Sequence, residues 1–568
     1  MQQPEMVQTP VGARQQEDYA FKQGSRTMIG GHPTREQRRA SRHRKVIIGG
    51  TVLFTLSVVG TLVGVLIAKP WNHHHHDNNS DSNNSSQQNS ESRDPSSDGR
   101  QHSPQDQIKN NTQSINATLV ERFTMSSSVP ISSAVRCNTH TPALDQPFLY
   151  GQQPIRGVNL GGWLVLEPFI TPSMFNPYIS QNVTDEYSLS KLLGPEKAKE
   201  TLKKHYETWV TEDTFKRIRD LGLNHVRIPI GFWALGDMEA DEPYVPDLAL
   251  DYLLLGLKWA AQYGIRVMVE LHAAPGSQNG WNHSGRAGKI GWLNGTPQGE
   301  KYAARTIEYT KKMLKLLQGP GMGHVSPMYG ILNEPAVFML DRSRVAAWYQ
   351  EAFSAMRNVT GTSQGPWGIL HDGFIGMQSW EGFMPTADRL ALDIHQYIIF
   401  NRDLIRLSHA EQVNLPCKIW SKDLQRSSLN FGPTVVGEFS SAANDCATYL
   451  NGVGVGYRWD GTFRSEDEGI PAEEAACQPL VNGHIPGHCS CESQNNVSYY
   501  TPEYRQFLSD FTQTQMDAFE QGMGWFYWNF KTETNALCWI PKDANSRPGG
   551  CRAVGHPIVP FAEAPQNA

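Results

Sequence analysis

Two glutamates set in short apolar runs are the residues of this sequence best suited to chemistry. Glu334 closes the run Tyr329-Gly-Ile-Leu-Asn-Glu-Pro335, and Glu438 lies in Thr434-Val-Val-Gly-Glu-Phe-Ser440. Proline has no backbone N–H and biases the residue before it toward extended geometry, so Glu334 is expected at the last position of a strand. A pair of carboxylates at strand ends suits glycosidic-bond cleavage: one stays protonated to donate to the leaving oxygen, and the other is ionised to attack the anomeric carbon. A separation of roughly 5–5.5 Å gives a covalent intermediate and retention, whereas ~6.5–9.5 Å leaves room for water and gives inversion. The second negative charge raises the pKa of the acid member and keeps it protonated near neutral pH.

Other polar residues interrupt apolar runs in the same way: Arg227, Glu270 and His272, Asn333, His395 and Tyr397, with Trp528 closing the last run. Arg227 could cap a helix or meet a surface acid, but a buried arginine is costly without a partner, which favours orientation of a carboxylate. His272 and His395 could be satisfied core residues or metal ligands. No His-x-His or His-x-x-x-His pair accompanies them, so no metal is expected, and the chemistry needs no organic cofactor. Trp281, Trp292, Phe400, Trp528 and Trp539 could all be core. Aromatic faces also stack on sugar rings, and barrel-mouth positions favour that role for Trp528 and Trp281.

These residues need a frame. From about residue 145 a unit repeats in which a short apolar strand is followed by a helix-like stretch. The pattern predicts strands over 155–160, 225–229, 266–271, 329–332, 367–371, 390–394, 434–437 and 524–528. Helices are predicted over 211–221, 248–263, 305–317 and 502–521. Eight strands alternating with helices indicate the α/β class and a closed (β/α)8 TIM barrel, whose C-terminal mouth collects the residues above. Residues 441–500 hold four of the eight cysteines and many glycines, and read as a disulfide-tied excursion after strand seven. All eight cysteines follow residue 130, which fits up to four disulfides in an oxidising compartment; buried free thiols are the alternative.

The N-terminal region reads differently. Residues 1–45 are polar, carry nine Lys or Arg against four Asp or Glu, and are expected to form a disordered cytoplasmic tail. Residues 46–68 contain no charge and are long enough to cross the ~30 Å hydrocarbon layer as a helix. The basic flank before this span predicts a type II signal anchor in the plasma membrane with the C-terminal side outside. Residues 72–116 are rich in Asn, Ser, Gln and Asp, and 69–135 is expected to be a polar glycosylated stalk before a hydrolase domain at 136–568. Ten sequons follow the span, at Asn78, Asn83, Asn84, Asn110, Asn116, Asn182, Asn282, Asn294, Asn358 and Asn496. The whole chain has a net charge of −6, and the +5 of the tail leaves −11 beyond it, which argues against nucleic acid as a partner.

Seven ordered blocks resemble glycoside hydrolase family five, and within it the fungal exo-β-1,3-glucanases. They are Arg156-Gly-Val-Asn-Leu-Gly-Gly-Trp-Leu-Val-Leu-Glu167, Val226-Arg-Ile-Pro-Ile230, Glu270-Leu-His-Ala-Ala-Pro-Gly-Ser-Gln-Asn-Gly280, Leu332-Asn-Glu-Pro335, Asp393-Ile-His-Gln-Tyr397, Gly437-Glu-Phe-Ser440 and Gly524-Trp-Phe-Tyr-Trp-Asn-Phe530. The resemblance implies Glu334 as acid/base and Glu438 as nucleophile. It implies Arg227 and Asn333 as holders of the nucleophile and the sugar's 2-hydroxyl, and His272, His395 and Tyr397 as pocket partners. Glu167 would contact the non-reducing-end glucose and Trp528 would lie beneath it. The implied substrate is β-1,3-glucan of the cell wall, cut from the non-reducing end in wall remodelling, with transfer to glucan as a possible outcome. Endo-β-glucanase, β-1,6-glucanase and non-catalytic glucan binding are the alternatives. Where soluble relatives tend to have Phe-Asp, this chain has Trp281-Asn282, and a glycan there would crowd the cleft entrance. Either that sequon is unoccupied or the substrate path differs.

Overall fold

The computed structural model describes residues 134–464, 474–477, 489–492, 494 and 497–533. The predicted tail, the span at 46–68, the stalk to residue 133, Trp539 and the sequons at Asn78, Asn83, Asn84, Asn110, Asn116 and Asn496 lie outside these residues. Among the described residues no helix is long and apolar enough to cross a membrane.

Eight parallel strands close into a barrel in sequence order: β1 (Ile155–Asn159), β2 (His225–Gly231), β3 (Arg266–Ala273), β4 (Met328–Leu332), β5 (Trp367–His371), β6 (Leu390–Gln396), β7 (Thr434–Phe439) and β8 (Gly524–Tyr527). Each predicted strand is present. Several run further than the sequence suggests, because a polar residue inside a barrel looks, in one dimension, like the end of a strand. His272, His395 and Glu438, each just past a predicted end, therefore sit within β3, β6 and β7.

Side chains alternate along a strand with a period of two, and this alternation stacks the barrel interior in layers. Ile155, Met268, Met328, Ile369, Ala391, Val435 and Phe526 pack together as an apolar floor. Two residues further along come Gly157, Glu270, Gly330, His371, Asp393 and Gly437 on the same strands, and Trp528 just past β8. The glycines make room for bulky polar neighbours. A Cβ on Gly330 would lie 2.4 Å from Glu270 Cγ, and one on Gly437 2.3 Å from Asp393 Oδ1. The main core lies outside the barrel, between strands and helices, and includes Val226, Ile228, Val267, Val269, Leu271, Ile331 and Val436.

Helices pack their apolar stripes onto that outer face. In the helix Leu248–Tyr263, Leu250, Leu253, Leu254, Leu257 and Ala261 are buried at three- and four-residue spacing. The helix predicted from residue 305 starts earlier, at Pro297. The Thr296 side chain accepts from Gly299 N–H, and Pro297 occupies the first turn, where its missing N–H costs nothing. Thr501 and Pro502 start the helix Pro502–Phe519 in the same manner. Between β5 and β6 the strand–helix repeat is reduced to a single turn at Met377–Trp380. In the excursion after β7, Cys446 is bonded to Cys491 and Cys477 to Cys489. Cys417 is also disulfide-bonded, whereas Cys137 is a buried free thiol. With Cys137 free, the eight cysteines permit at most three disulfides within the chain rather than four.

Candidate active site

Arg227 on β2 is fully buried and organises the centre of the mouth. Its Nη1 donates to Asn159 Oδ1 at 2.8 Å and to Glu438 Oε1 at 2.6 Å. Its Nη2 donates to Asn333 Oδ1 at 2.8 Å and to Glu270 Oε1 at 2.5 Å. Two carboxylates from two strands thus compensate one buried guanidinium, as burial of such a charge requires. The other oxygen of Glu438, Oε2, accepts from Tyr397 Oη at 3.0 Å.

His395 lies opposite Glu438 in the register of β6 and β7. Its Nδ1 is 2.5 Å from Glu334 Oε1 and 3.4 Å from Glu438 Oε2. Those two carboxylate oxygens are therefore no more than about 5.9 Å apart, short of the ~6.5–9.5 Å spacing that admits a water between the carboxyls.

Glu334 itself departs from expectation. It lies two residues beyond β4, and its φ is +44°, in the left-handed region, not the extended conformation that a following proline favours. Tertiary hydrogen bonds override the local preference. Gln278 Nε2 donates to Asn333 O at 2.9 Å, Asn279 Nδ2 donates to Glu334 O at 3.1 Å, and Ala336 N–H donates to Gln278 O at 3.2 Å. Residues held in sparsely populated conformations cluster at functional sites, where the surroundings over-determine them.

Burial raises the Glu334 pKa well above the ordinary carboxyl range, and the charge of Glu438 raises it further. Burial also raises Glu438, but Arg227 and the Tyr397 hydroxyl pull it down. When one proton is shared between the two, it belongs on Glu334. Burial likewise raises Glu167 well above its usual value, with the charge of Glu438 adding to the effect. Its Oε1 is buried without a hydrogen-bond partner among the described residues.

The remaining predicted residues surround this centre. His272 Nδ1 is 2.9 Å from Glu270 Oε2, and the His272 ring lies parallel to Trp528 with centroids 6.0 Å apart. Phe400 meets Tyr397 edge-on at 5.6 Å. Trp281 is half-buried, 5.4 Å from His283 and 5.5 Å from Phe374 between ring centroids. Asn182, Asn294 and Asn358 are exposed. Asn282 is half-buried, and its sequon partner Ser284 is buried, bonded to Ser277 Oγ at 2.6 Å and to Trp281 O at 2.7 Å.

Three site residues escaped the sequence reading. His283 places Nε2 3.3 Å from Glu334 Oε2; it lies on a loop turn after β3, so no strand pattern marks it. Asp393 accepts from Gly437 N–H at 2.7 Å and raises the pKa of Glu270, and its place inside an apolar strand was the available signal. His371 ends β5 and meets His395 at 4.4 Å between ring centroids, so the strand-end rule could have found it.

Glu334, His371 and His395 offer donor atoms within 4.8 Å of one another, a spacing a metal ion could use. Gly373 N–H, however, donates to His371 Nδ1 at 3.0 Å. The neutral ring then carries its hydrogen on Nε2 and has no free lone pair to offer, so the trio lacks a ligand.

Residues 194–457 match the family described as Cellulase (glycosyl hydrolase family 5). The chain is 43% identical over 409 residues to the probable glucan 1,3-beta-glucosidase D of Neosartorya fischeri, covering 71% of this chain and 47% of that protein. It is 40% identical over 450 residues to the protein of the same description from Aspergillus niger, covering 77% of this chain and 52% of that one. The chain thus spans about half the length of the curated relatives it matches. Among solved structures, the crystal structure of AoRut aligns with a TM-score of 0.50 at 20% identity, over 69% of this chain and 92% of that one, a likeness of fold.

Proposed function

We propose, from the premise that the barrel belongs to glycosyl hydrolase family 5, that this chain is a retaining exo-β-1,3-glucanase releasing glucose from non-reducing ends. The observation that carries the retaining mechanism is the carboxylate pair bridged by His395, nearer together than the ~6.5–9.5 Å of inverting enzymes. In the first step Glu438 attacks the anomeric carbon, the glycosidic C–O bond breaks, and the Glu334 proton passes to the leaving oxygen. In the second step Glu334 takes a proton from water, or from a glucan hydroxyl, whose oxygen displaces Glu438 and restores the β configuration.

Arg227 and Tyr397 orient the nucleophile, and Asn333 would receive the sugar's 2-hydroxyl. Glu167, its pKa raised by burial, and the face of Trp528 would hold the non-reducing-end glucose, with Trp281 and Phe400 stacking on the leaving portion. The linkage preference rests on the likeness to the relatives named above. Residues 46–68 would anchor the protein in the plasma membrane with the barrel outside, facing wall β-1,3-glucan.

Product stereochemistry and a timed product analysis on laminarin, pustulan and cellulose test the reading. β-Glucose appearing first from laminarin is expected. Initial release of α-glucose, or activity that survives Glu438→Ala, would sink the mechanism; early oligosaccharides in place of glucose would sink the exo assignment.

A further inference from the structure

Glu270 is neither member of the carboxylate pair, yet the hydrogen bonds of the site run through it. Arg227 Nη2 donates to Asn333 Oδ1, which turns the amide nitrogen of Asn333 toward His272 Nε2, at 3.4 Å. An amide nitrogen only donates, so Nε2 must offer its lone pair and the ring hydrogen sits on Nδ1. Nδ1 then donates to Glu270 Oε2 at 2.9 Å, while Glu270 Oε1 accepts from Arg227. Both oxygens of Glu270 are acceptors, which is the pattern of an ionised carboxylate. Burial pushes Glu270 up to about 7 and Arg227 pulls it down; the hydrogen-bond chain selects the ionised form. The space Glu270 occupies is made by Gly330 on the neighbouring strand.

We infer that Glu270 is a positioning residue: it is the standing counter-ion that keeps Arg227 in place while Glu438 is esterified, and it fixes the His272 tautomer that faces Asn333. This rests on Glu438 being the nucleophile. Forming the glucosyl-enzyme joins a Glu438 oxygen to the anomeric carbon, breaks the glycosidic bond and moves the Glu334 proton to the leaving oxygen. One negative charge thereby passes from Glu438 to Glu334. Arg227 bonds directly to Glu438 and not to Glu334 among the described contacts, so without Glu270 it would become a buried cation with no ionised hydrogen-bond partner, the charge of Asp393 acting on it only from beyond bonding distance. Sharing Arg227 between two carboxylates also leaves Glu438 more basic, and so a better nucleophile, than exclusive pairing would.

The test combines two variants with one measurement on the unaltered protein. The groups whose charge Glu270 meets are Arg227 from β2, His272 on its own strand, Glu334 after β4, Asp393 from β6 and Glu438 from β7, with the Tyr329 and Tyr349 hydroxyls behind them. Glu270→Gln should lower kcat/KM for an activated aryl β-glucoside by about 10²-fold through misplacement of Arg227. It should also move the acid limb of the profile, which reports ionisation of Glu438, to lower pH. Glu270→Asp keeps the charge, so its acid limb should stay where the unaltered protein has it even if the shorter reach slows turnover. An unmoved limb in Glu270→Gln, or an equal displacement in Glu270→Asp, overturns the inference.

Should Glu270→Gln not fold, a crystal structure of the unaltered protein trapped with a 2-deoxy-2-fluoro-glucoside decides. Arg227 still bonded to Glu270 is expected, and Arg227 turned away from it overturns the inference. A label on a residue other than Glu438 overturns the nucleophile assignment and the counter-ion role with it, whereas a label on Glu438 with Arg227 displaced overturns the counter-ion role alone.

Discussion

Each buried acid of the mouth is set by what stands next to it. Glu334 is raised by burial and by Glu438, whereas the rise that burial imposes on Glu438, to about 7, is limited by Arg227 and Tyr397. Activity should therefore fall on the acid side as Glu438 gains a proton, and on the alkaline side as Glu334 loses its own. Glu334→Ala should lower turnover of laminarin by about 10²–10⁴-fold. An aryl glucoside with an activated leaving group should recover much of that loss when azide is added, with glucosyl azide as the product to look for by mass spectrometry. Glu186 shows the linkage to stability. Burial moves its pKa from 4.5 to about 8, so across that interval the folded chain keeps a proton that the unfolded chain has released. Stability from this group is full below about pH 4.5 and is lost as pH rises toward about 8. Glu186→Gln keeps an acceptor for Leu166 N–H, the bond Glu186 makes at 2.8 Å. The variant should melt above the unaltered protein at mildly alkaline pH and match it at acid pH, as measured by scanning fluorimetry.

At the scale of elements, the site depends on how the segment after β3 grips the end of β4. Gln278 is fully buried; its Nε2 donates to His272 O and Asn333 O, and its Oε1 accepts from Ala274 N–H. Gln278→Ala leaves those backbone groups unpaired and should cost about 2–4 kcal/mol in denaturant unfolding. It should also slow turnover, because Glu334 loses the frame that holds its left-handed backbone. The excursion after β7 depends on covalent closure. The Cys446–Cys491 bond spans 45 residues, and its removal by Cys446→Ser should destabilise the fold by up to about 4 kcal/mol in the chain-entropy account, read as a drop in unfolding midpoint. Strand positions were legible in the sequence because apolar runs with polar interruptions carry the period of two. Strand ends were not, since His272, His395 and Glu438 look like terminators until the barrel closes and supplies their partners.

At the scale of the whole molecule, residues 46–68 give the proposal of an anchored enzyme its test. The full chain should sediment with membranes and need detergent for release, and deletion of residues 1–68 should yield a protein that stays in the supernatant and cleaves laminarin. A full chain that remains in the supernatant refutes the anchor. Glycan mapping of secreted protein should find occupancy at the exposed Asn182, Asn294 and Asn358 and none at Asn282, whose Ser284 hydroxyl is buried beside the cleft.

By itself the sequence determined the barrel and the identity of its polar groups, because both follow from local patterns: apolar runs of strand length, and a glutamate, arginine or histidine interrupting each. Only the tertiary structure decided how those groups relate. The spacing of Glu334 and Glu438 depends on the β6–β7 register that sets His395 between them. The left-handed backbone of Glu334 depends on Gln278 and Asn279, more than fifty residues earlier. The place of Glu270 beside Arg227 depends on a glycine in the adjacent strand. Distances and charge compensation belong to the closed barrel, because each is made between residues that lie far apart along the chain.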